Sequence, residues 1–383
     1  MKILAKTFFA LEDTLSDEIL EIGGKNINPT KRGVWFEGNT KMLYKSNIML
    51  RSALRILVPI LEFTAYDERR LYKHIHEFDW SKYLGLDRTF AIDSVTRSNR
   101  FKHSQYVALK VKDAIVDQFR NNTGQRPSID TKNPDILINV HLNDAKFTVS
   151  LDSSGDTLNK RGYREQGHPA SLNEALAAGL ILKSGWKGEN DLLDPFCGSG
   201  TIPIEAALIA TNTPPGLNRD FSFMNWDDFD QELWQEALVE SKSKIKKLNV
   251  NIYGSDISER SVNVARECIS NIGLNKIQIR RESFDLTNRP AETGTIITNP
   301  PYGERLKEDD LIDFYQKIGD TLKQSYNGWD AWILSGNLQA LKLIGLKTSK
   351  KINCMNGDIE CKFNKYELYR GTKRVFKEKS ESE

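Results

Sequence analysis

The sequence predicts an α/β protein in which a mixed α+β part precedes a doubly wound, mostly parallel sheet. Two observations lead to this fold class. Before residue 160, short β-rich runs alternate with only a few helical segments, as in small α+β units. After residue 160, apolar strand candidates alternate regularly with helical segments, which is typical of a parallel sheet with helices on both faces. A chain of 383 residues is long enough for two or three domains.

In the first part, the clearest helix is SQYVALKVKDAIVDQF, because its apolar residues recur near helical spacing. These residues are Val107, Val111, Ala114, Ile115 and Phe119. The predicted strands are KILAKTFFAL, GVWFEG, TFAIDSVT, DILINVHLN and KFTVSLD. Such a mixture over about 150 residues indicates one or two small α+β units.

The second part opens with a predicted helix over SLNEALAAGLILKSG. Ser171 and Glu174 have the spacing of a capping box, and Gly185 is expected to end the helix. The predicted strands that follow are DLLD, VNIYGSDI, KIQIRRESF, TIITNPP and WDAWILSG. Near the end of the chain, Asn356-Gly357 lies between two further strand-like runs and predicts an antiparallel hairpin.

Composition excludes several classes of protein. The four cysteines are scattered without CxxC spacing, so we expect no disulfide framework and no metal site. We find no signal-peptide pattern and no long apolar run, and we expect a soluble cytoplasmic protein. Residues 1–160 carry 24 Lys and Arg against 20 Asp and Glu, whereas residues 161–383 carry 30 against 32. This mild excess permits a polyanionic partner for the first part.

A glycine turn, DPFCGSGT, follows the first predicted strand of the second part. Ligands of doubly wound sheets bind at the carboxyl ends of the strands, and Gly198 and Gly200 allow close backbone approach. The dinucleotide fingerprint G-x-G-x-x-G/A is broken by Pro203, and the Lys-Ser/Thr pair of a P-loop is missing. This turn alone therefore leaves a structural turn and a ligand site equally open.

Two acidic residues at strand ends extend the candidate site. Asp256 ends the second strand, where a carboxylate can accept hydrogen bonds from both ribose hydroxyls. It follows Gly200 by 56 residues, so an insertion with its own helix must intervene, and we expect that segment to be solvated and amphipathic. Asp285 follows the third strand and could reach an adenine amino group, although acids at strand ends are often caps.

The stretch ITNPPYGERL suggests the chemistry. Asn299 ends a hydrophobic strand, and Pro300 and Pro301 stiffen the chain that follows. The Asn299 side chain and the Pro300 carbonyl would then be fixed acceptors for the two N–H groups of an exocyclic amine, which restores the nitrogen lone pair for attack on a methyl group. Tyr302 could stack on the base. The alternative is a tight turn without catalytic function.

Together, DPFCGSGT, GSDIS and NPPYGERL resemble the class I S-adenosylmethionine-dependent methyltransferases, and NPPY resembles their amino-methylating branch. The stretches HSQYVALKVKDAIVD, NPDILINVHL and SLDSSGDTLNKRGYR resemble the THUMP RNA-binding domain and its junction in bacterial large-subunit (23S) ribosomal RNA guanine-N2 methyltransferases. The similarity spans nearly the whole chain. Some members carry a second methyltransferase domain after this one, and we expect no second activity here.

This resemblance implies roles for individual residues. Those surrounding the methionine part of the cofactor would be Asp194, Cys197, Gly198, Gly200 and Thr201. Asp256 would hold the ribose and Asp285 the adenine, and the target amine would meet Asn299, Pro300, Pro301 and Tyr302. Three residues fall where the family's helix before the sheet touches the cofactor, namely Pro169, Leu172 and Asn173.

The resemblance also implies the domain order. We expect a ferredoxin-like unit over 1–60, a THUMP domain over 61–155 and a linker over 156–168. A Rossmann-like methyltransferase domain with an antiparallel edge hairpin follows over 169–377, and the charged residues 378–383 form a tail. The implied reaction is methyl transfer to the N2 amine of a guanine in 23S ribosomal RNA, either free or in an assembly intermediate.

Four alternatives stay open. A transfer-RNA guanine-N2 methyltransferase has a similar architecture, and an adenine-N6 methyltransferase would also use an NPPY loop. A carbon methyltransferase would need a cysteine nucleophile, and no cysteine lies near Asn299 in the sequence. A non-catalytic RNA assembly factor would be expected to lose Asn299 or the glycines, which this chain retains.

A basic cluster, TRSNRFKHSQY, precedes the clearest helix of the first part. Its side chains Arg97, Arg100, Lys102 and His103 could contact phosphates of RNA. The alternative is a solvated charged loop. Resemblance to THUMP domains favours RNA docking.

Overall fold

The structure is a computed structural model, and it describes residues 1–164, 171–274, 276–302 and 308–369. The chain forms two compact units. The first unit consists of Met1–Thr7, Leu15–Leu158 and Gly216–Ser241. The second consists of Phe8–Thr14, Asn159–Pro215 and, among the described residues, those from Lys242 onward. Within the described ranges, no helix is long and apolar enough to span a membrane.

Up to residue 152, the chain forms eight strands and four α-helices. In chain order they are β1 (Lys2–Thr7), α1 (Glu12–Glu21), β2 (Lys25–Thr30), β3 (Gly33–Glu37), α2 (Thr40–Met49), β4 (Ala53–Thr64), α3 (Glu68–Glu77), β5 (Thr89–Arg97), α4 (Ser104–Thr123), β6 (Ser128–Ile129), β7 (Ile136–Asn143) and β8 (Lys146–Asp152). All five strands predicted in this part are confirmed. The strands β2, β4 and β6 were not predicted.

The strands of the first unit form one sheet in the order β2-β3-β1-β4-β8-β7-β5-β6. The 12-residue strand β4 joins the two halves of this sheet, because it pairs antiparallel with β1 on one side and with β8 on the other. The α4 helix is confirmed, and its five predicted apolar residues are all buried. Gly124 ends α4 in the left-handed conformation, with φ 73°.

From residue 174, the chain forms the second set of elements. They are α5 (Glu174–Ser184), β9 (Leu192–Asp194), α6 (Thr201–Ala210), α7 (Gln231–Ser243), β10 (Ile252–Asp256), α8 (Glu259–Asn271), β11 (Ile277–Arg281), β12 (Gly294–Thr298), α9 (Glu308–Ser325), β13 (Trp329–Ser335), α10 (Ala340–Leu343), β14 (Thr348–Asn356) and β15 (Ile359–Glu367). Short 3₁₀ turns lie at Trp80–Lys82, Ser222–Asn225 and Phe284–Leu286.

The second unit contains a seven-stranded sheet in the order β11-β10-β9-β12-β13-β15-β14. The strands β9 to β13 run parallel, and β15 pairs antiparallel with β13 and β14. This is the predicted doubly wound, mostly parallel sheet with an antiparallel edge hairpin. The hairpin turn lies one residue later than predicted, because Asn356 still pairs with Ile359 and Gly357 (φ 61°) is the first turn residue.

The start of α5 differs from the prediction. The N-cap is Asn173, whose side-chain oxygen accepts hydrogen bonds from the backbone N–H groups of Ala175 and Leu176. Ser171 instead lies two residues before this cap and bonds the Ser199 hydroxyl at 2.6 Å. The predicted capping box is therefore wrong, since Asn is as good an N-cap as Ser and begins the helix closer to its apolar run. Gly185 ends α5 as predicted.

The insertion RDFSFMNWDDFDQELWQEALVESKSKIKKL, residues 219–248, was expected to be a solvated amphipathic segment with its own helix. The helix is confirmed as α7, but the expectation that the segment is solvated is wrong. Phe221, Phe223 and Trp234 are buried in the first unit. The Phe223 ring stacks on Tyr44 with a centroid separation of 4.5 Å, and the Asp230 N–H donates to the Tyr44 hydroxyl at 3.0 Å. Asp230 and Tyr44 are 186 residues apart in the chain, and no local pattern indicates a contact over such a distance.

Candidate functional site

A cavity of about 1020 Å³ lies at the carboxyl ends of the parallel strands of the second unit. Residues after four different strands line it, as expected for a doubly wound sheet. The predicted residues among its lining are Leu172, Asp194, Cys197, Gly198, Thr201, Asp256, Asp285, Asn299, Pro300, Pro301 and Tyr302. Pro169 lies outside the described residues.

Two predicted residues, Asn173 and Gly200, do not line the cavity directly. Asn173 caps α5, and Gly200 caps α6 in the left-handed conformation with φ 81°. A Cβ on Gly200 would lie only 3.1 Å from the Ala265 Cβ, so both the backbone conformation and the packing require glycine there. Both residues therefore set the start of a helix beside the cavity.

The glycine turn is bound to the end of β10. The Gly198 N–H donates to Asp256 Oδ2 at 3.0 Å, and the Cys197 N–H donates to the Ser255 carbonyl at 2.9 Å. Gly254 permits this approach, because a Cβ there would lie 3.2 Å from Cys197 Sγ. Gly254 was not among the predicted site residues, although its place directly before Ser255 and Asp256 was a usable signal.

Gly198 itself faces open space. It has φ 52°, and no described heavy atom lies within 4 Å of the position that its Cβ would occupy. Because the residue lines the cavity, the backbone of the turn is accessible to a ligand at this point.

Asp194 connects the glycine turn to the end of β12. Its Oδ1 accepts a hydrogen bond from the Thr298 hydroxyl at 2.6 Å and one from the Phe196 N–H at 3.2 Å. Thr298 is the last residue of β12, directly before Asn299. Burial raises the pKa of Asp194 to about 7, and the negative charge of Asp256 contributes to this rise.

Asp285 lies in a different environment. It is exposed in the 3₁₀ turn after β11, where the Ser283 hydroxyl donates to its carboxylate. Its neighbour Phe284 is buried and makes an edge contact with Phe196, with the two ring centroids 5.5 Å apart. An apolar wall therefore lies beside an accessible acceptor.

The loop after β12 brings the four predicted catalytic residues to the cavity. Asn299 Oδ1 is buried, and no described residue donates a hydrogen bond to it. A buried acceptor without a partner costs free energy, so a position of this kind suits an acceptor that meets a ligand donor. Tyr302 is held by Asn356, whose side-chain N–H donates to the Tyr302 hydroxyl at 2.8 Å. Asn356 lines the cavity and was not predicted.

Arg164 supports the glycine turn from behind. One guanidinium nitrogen donates to Thr201 Oγ1 at 2.7 Å and to Ser199 Oγ at 3.2 Å, while the other donates to Glu174 at 2.7 Å. Arg164 was not among the predicted site residues, because an isolated arginine in a junction carries no recognisable pattern.

The surroundings of the four cysteines favour the neutral thiol. All four are buried. Burial raises the pKa of the Cys197 thiol well above its ordinary value, and it raises the pKa of Cys354 to about 12. A thiolate is the nucleophilic form of cysteine, so this environment disfavours the carbon-methyltransferase alternative.

The basic cluster lies in the first unit, between β5 and α4. Arg97, Arg100, Lys102 and His103 are all exposed, whereas Phe101 between them is buried. The Arg100 guanidinium lies 5.4 Å from the Tyr66 ring centroid. The structure thus brings four cationic or titratable side chains to one surface loop.

Comparison with known proteins identifies the family. Residues 161–365 match the methyltransferase domain described as RMKL-like, residues 65–152 match the THUMP domain, and residues 2–57 match the RlmL ferredoxin-like domain. The chain is 39% identical over 363 residues to a Synechocystis protein provisionally named an RNA methyltransferase, covering 94% of each.

Two further similarities concern substrate and cofactor. The chain is 36% identical to the ribosomal RNA large subunit methyltransferase K/L of Syntrophotalea carbinolica, with 96% of this chain and 54% of that protein aligned. It thus spans about half the length of the K/L relatives. The crystal structure of SMU.472, a protein provisionally named a methyltransferase and complexed with SAH, matches with TM-score 0.87 and 29% identity over 97% of this chain and 99% of that chain. The chain belongs to the family of S-adenosylmethionine-dependent class I methyltransferases that combine a THUMP domain with an RMKL-like catalytic domain.

Proposed function

We propose that the protein methylates the exocyclic N2 amine of a guanine in 23S ribosomal RNA. The observation that carries this proposal is the buried Oδ1 of Asn299 at the wall of the cavity, to which none of the described residues donates a hydrogen bond. An acceptor placed in this way would bind an N–H group of the amine. The K/L relatives, named large-subunit ribosomal RNA methyltransferases, support the RNA class.

The residues of the cavity suit the cofactor. When bound, S-adenosylmethionine supplies an electrophilic methyl group. The open side of Gly198, together with Asp194, Cys197 and Thr201, would accommodate its methionine part, and Leu172 would pack beside it. Gly200 would act through the start of α6, as Asn173 would through the start of α5.

Asp256 would hold the ribose. Its two carboxylate oxygens each accept one backbone N–H, from Gly198 and Ser258, and each oxygen keeps a further lone pair for a ribose hydroxyl. Asp285 would accept a hydrogen bond from the adenine amino group, with the adenine against the apolar wall at Phe284. Pro169 is retained as a proposed cofactor contact from the family resemblance alone.

The catalytic loop would act by positioning. Asn299 Oδ1 and the Pro300 carbonyl would accept the two N–H groups of the amine, which favours a pyramidal nitrogen whose lone pair can attack. Pro301 would keep the loop rigid, because its ring fixes φ. Tyr302 would stack on the target base.

The alternative functions differ from the proposed one in their substrates and in the role that they give to Asn299. A guanine in transfer RNA, or an adenine N6 amine, would present the same two N–H groups to Asn299. The THUMP domain favours RNA over DNA. A non-catalytic assembly factor would leave the buried Asn299 acceptor without a function.

We further propose that the protein acts in the cytoplasm on 23S ribosomal RNA or its assembly intermediate. The domain boundaries predicted from the sequence are also part of this proposal.

Nucleoside mass spectrometry tests the substrate. Cells without the gene should lose one N2-methylguanosine from 23S ribosomal RNA, and the wild-type gene should restore it. Transfer RNA from the same cells should be unchanged. A loss confined to transfer RNA, or a loss of N6-methyladenosine, would replace the proposed substrate by one of the alternatives.

Asn299→Ala should lower the rate of methyl transfer strongly while cofactor binding stays nearly intact. Loss of an oriented acceptor of this kind costs on the order of 3 kcal/mol, or a rate decrease of about a hundredfold. Asn299→Asp should retain part of the activity, because its oxygen still accepts a hydrogen bond. Single-turnover rates and calorimetric cofactor affinity measure the two effects separately. Turnover of Asn299→Ala at the parental rate would refute the assignment.

Asp194→Asn should stabilise the fold more as pH rises. The pKa of Asp194 is about 7 in the folded protein, above its ordinary value of 3.8, so its contribution to stability is full below pH 3.8 and is lost as pH rises towards 7. The advantage of the Asn variant should therefore grow by about 3 kcal/mol between about pH 5 and pH 8.

Urea unfolding at the two pH values measures this difference, and cofactor affinity should fall in the same variant. Asp358→Asn, at the exposed hairpin turn of the same unit, is the matched control. Parallel pH profiles for Asp194→Asn and the parent would contradict the buried-acid interpretation.

Replacing Arg97, Arg100 and Lys102 by Ala should weaken RNA binding and flatten its salt dependence. Each lost phosphate contact lowers the slope of log affinity against log salt by about one. The control triple variant replaces Lys25, Lys31 and Lys132, which are exposed elsewhere in the first unit. Filter binding over a salt series measures both. Equal slopes for the two triple variants would show that the cluster is a solvated loop.

A further inference from the structure

The hydroxyl of Tyr302 has two partners on the hairpin β14–β15. The Asn356 side-chain N–H donates to it at 2.8 Å, and Cys361 Sγ lies 3.7 Å away. Because the phenol oxygen accepts from Asn356, its own hydrogen is available to Cys361. A chain of hydrogen bonds therefore runs from Asn356 through Tyr302 to Cys361.

Both partners are firmly placed. Cys361 is fully buried in the core of the second unit. Asn356 is the last residue of β14 and pairs with Ile359, the first residue of β15. The hairpin thus fixes both ends of the hydrogen-bond chain independently of the loop that carries Tyr302.

Gly336 lies against the ring of Tyr302. A Cβ at this position, directly after β13, would lie 2.8 Å from Tyr302 Cε2 and 3.0 Å from Cδ2. The absence of a side chain there leaves room for the aromatic ring against the backbone. One side of the ring therefore packs against the backbone at Gly336, while its hydroxyl is bonded to the hairpin.

We infer that Asn356 is a positioning residue that acts through the Tyr302 hydroxyl to hold the ring for stacking on the target nucleobase. This inference rests on the proposed function, because it assumes that Tyr302 meets the base. It assigns the antiparallel edge hairpin to the substrate side of the site. Asn356 and Ile359 both line the cavity, in agreement with this role.

A double-mutant cycle tests the inference. The variants are Asn356→Ala, Tyr302→Phe and the combination, in the full chain, with ribosomal RNA from cells lacking the gene as substrate. Each single variant should lower the rate of methyl incorporation at saturating RNA by about tenfold, the size of a coupled hydrogen bond. The combination should be no slower than either single variant, since both remove the same interaction. Cofactor affinity should stay within about twofold of the parent.

Asn353→Ala is the matched control, because Asn353 is an exposed asparagine on the same strand, and its rate should equal that of the parent. Asn356→Leu gives a second route should the Ala variant fold poorly, since it keeps the approximate size but offers neither a donor nor an acceptor to the Tyr302 hydroxyl. It should slow the Tyr302 protein and leave the Tyr302→Phe protein unchanged.

The inference is overturned if the rate decreases of the two single variants multiply in the combination. It is also overturned if both Asn356 variants incorporate methyl groups at the parental rate. The cycle compares rates of methyl incorporation and not products. If the methylated base is not guanine, the proposed function changes, but the comparison of rates still tests the role of Asn356.

Discussion

The candidate site depends on the buried carboxylate of Asp194. Its Oδ1 atom accepts hydrogen bonds from the Phe196 N–H in the glycine turn and from the Thr298 hydroxyl at the end of β12. The turn that would hold the cofactor and the loop that would hold the amine are therefore positioned by the same atom. Asp256 adds the second connection, because it accepts from the Gly198 N–H. Asp194 and Asp256 thus join β9, β10 and β12 at their carboxyl ends. The geometry of the site is therefore set by the register in which these strands pair.

Local sequence patterns predicted most of the parallel strands and two walls of the cavity in the second unit. Five apolar runs between helical segments predicted β9 to β13, and the Gly-x-Gly turn and the NPPY loop identified two walls of the cavity. Such features can be predicted because the chemistry requires particular residue types directly after a strand. The α4 helix was equally clear, since its apolar face repeats at helical spacing over several turns.

The features that were missed depend on contacts between distant parts of the chain. Asn356 meets Tyr302 across 54 residues, and one asparagine at a hairpin end carries no pattern. Strand β4 was missed because its residues Arg55, Pro59 and Glu62 interrupt the apolar run, although it lies in the middle of its sheet. Ser171 and Asn173 are both good N-caps, and only the packing of α5 decides between them.

The segment Gly216–Ser241 has a consequence for synthesis of the protein. It lies in sequence within the catalytic part, yet it completes the aromatic cluster around Tyr44 in the first unit. On the ribosome, that unit cannot finish its core until residue 241 has left the exit tunnel, so α5, β9 and α6 of the second unit emerge while the first unit is still incomplete. Nascent chains shorter than this would leave the apolar side chains around Tyr44 without the partners that bury them.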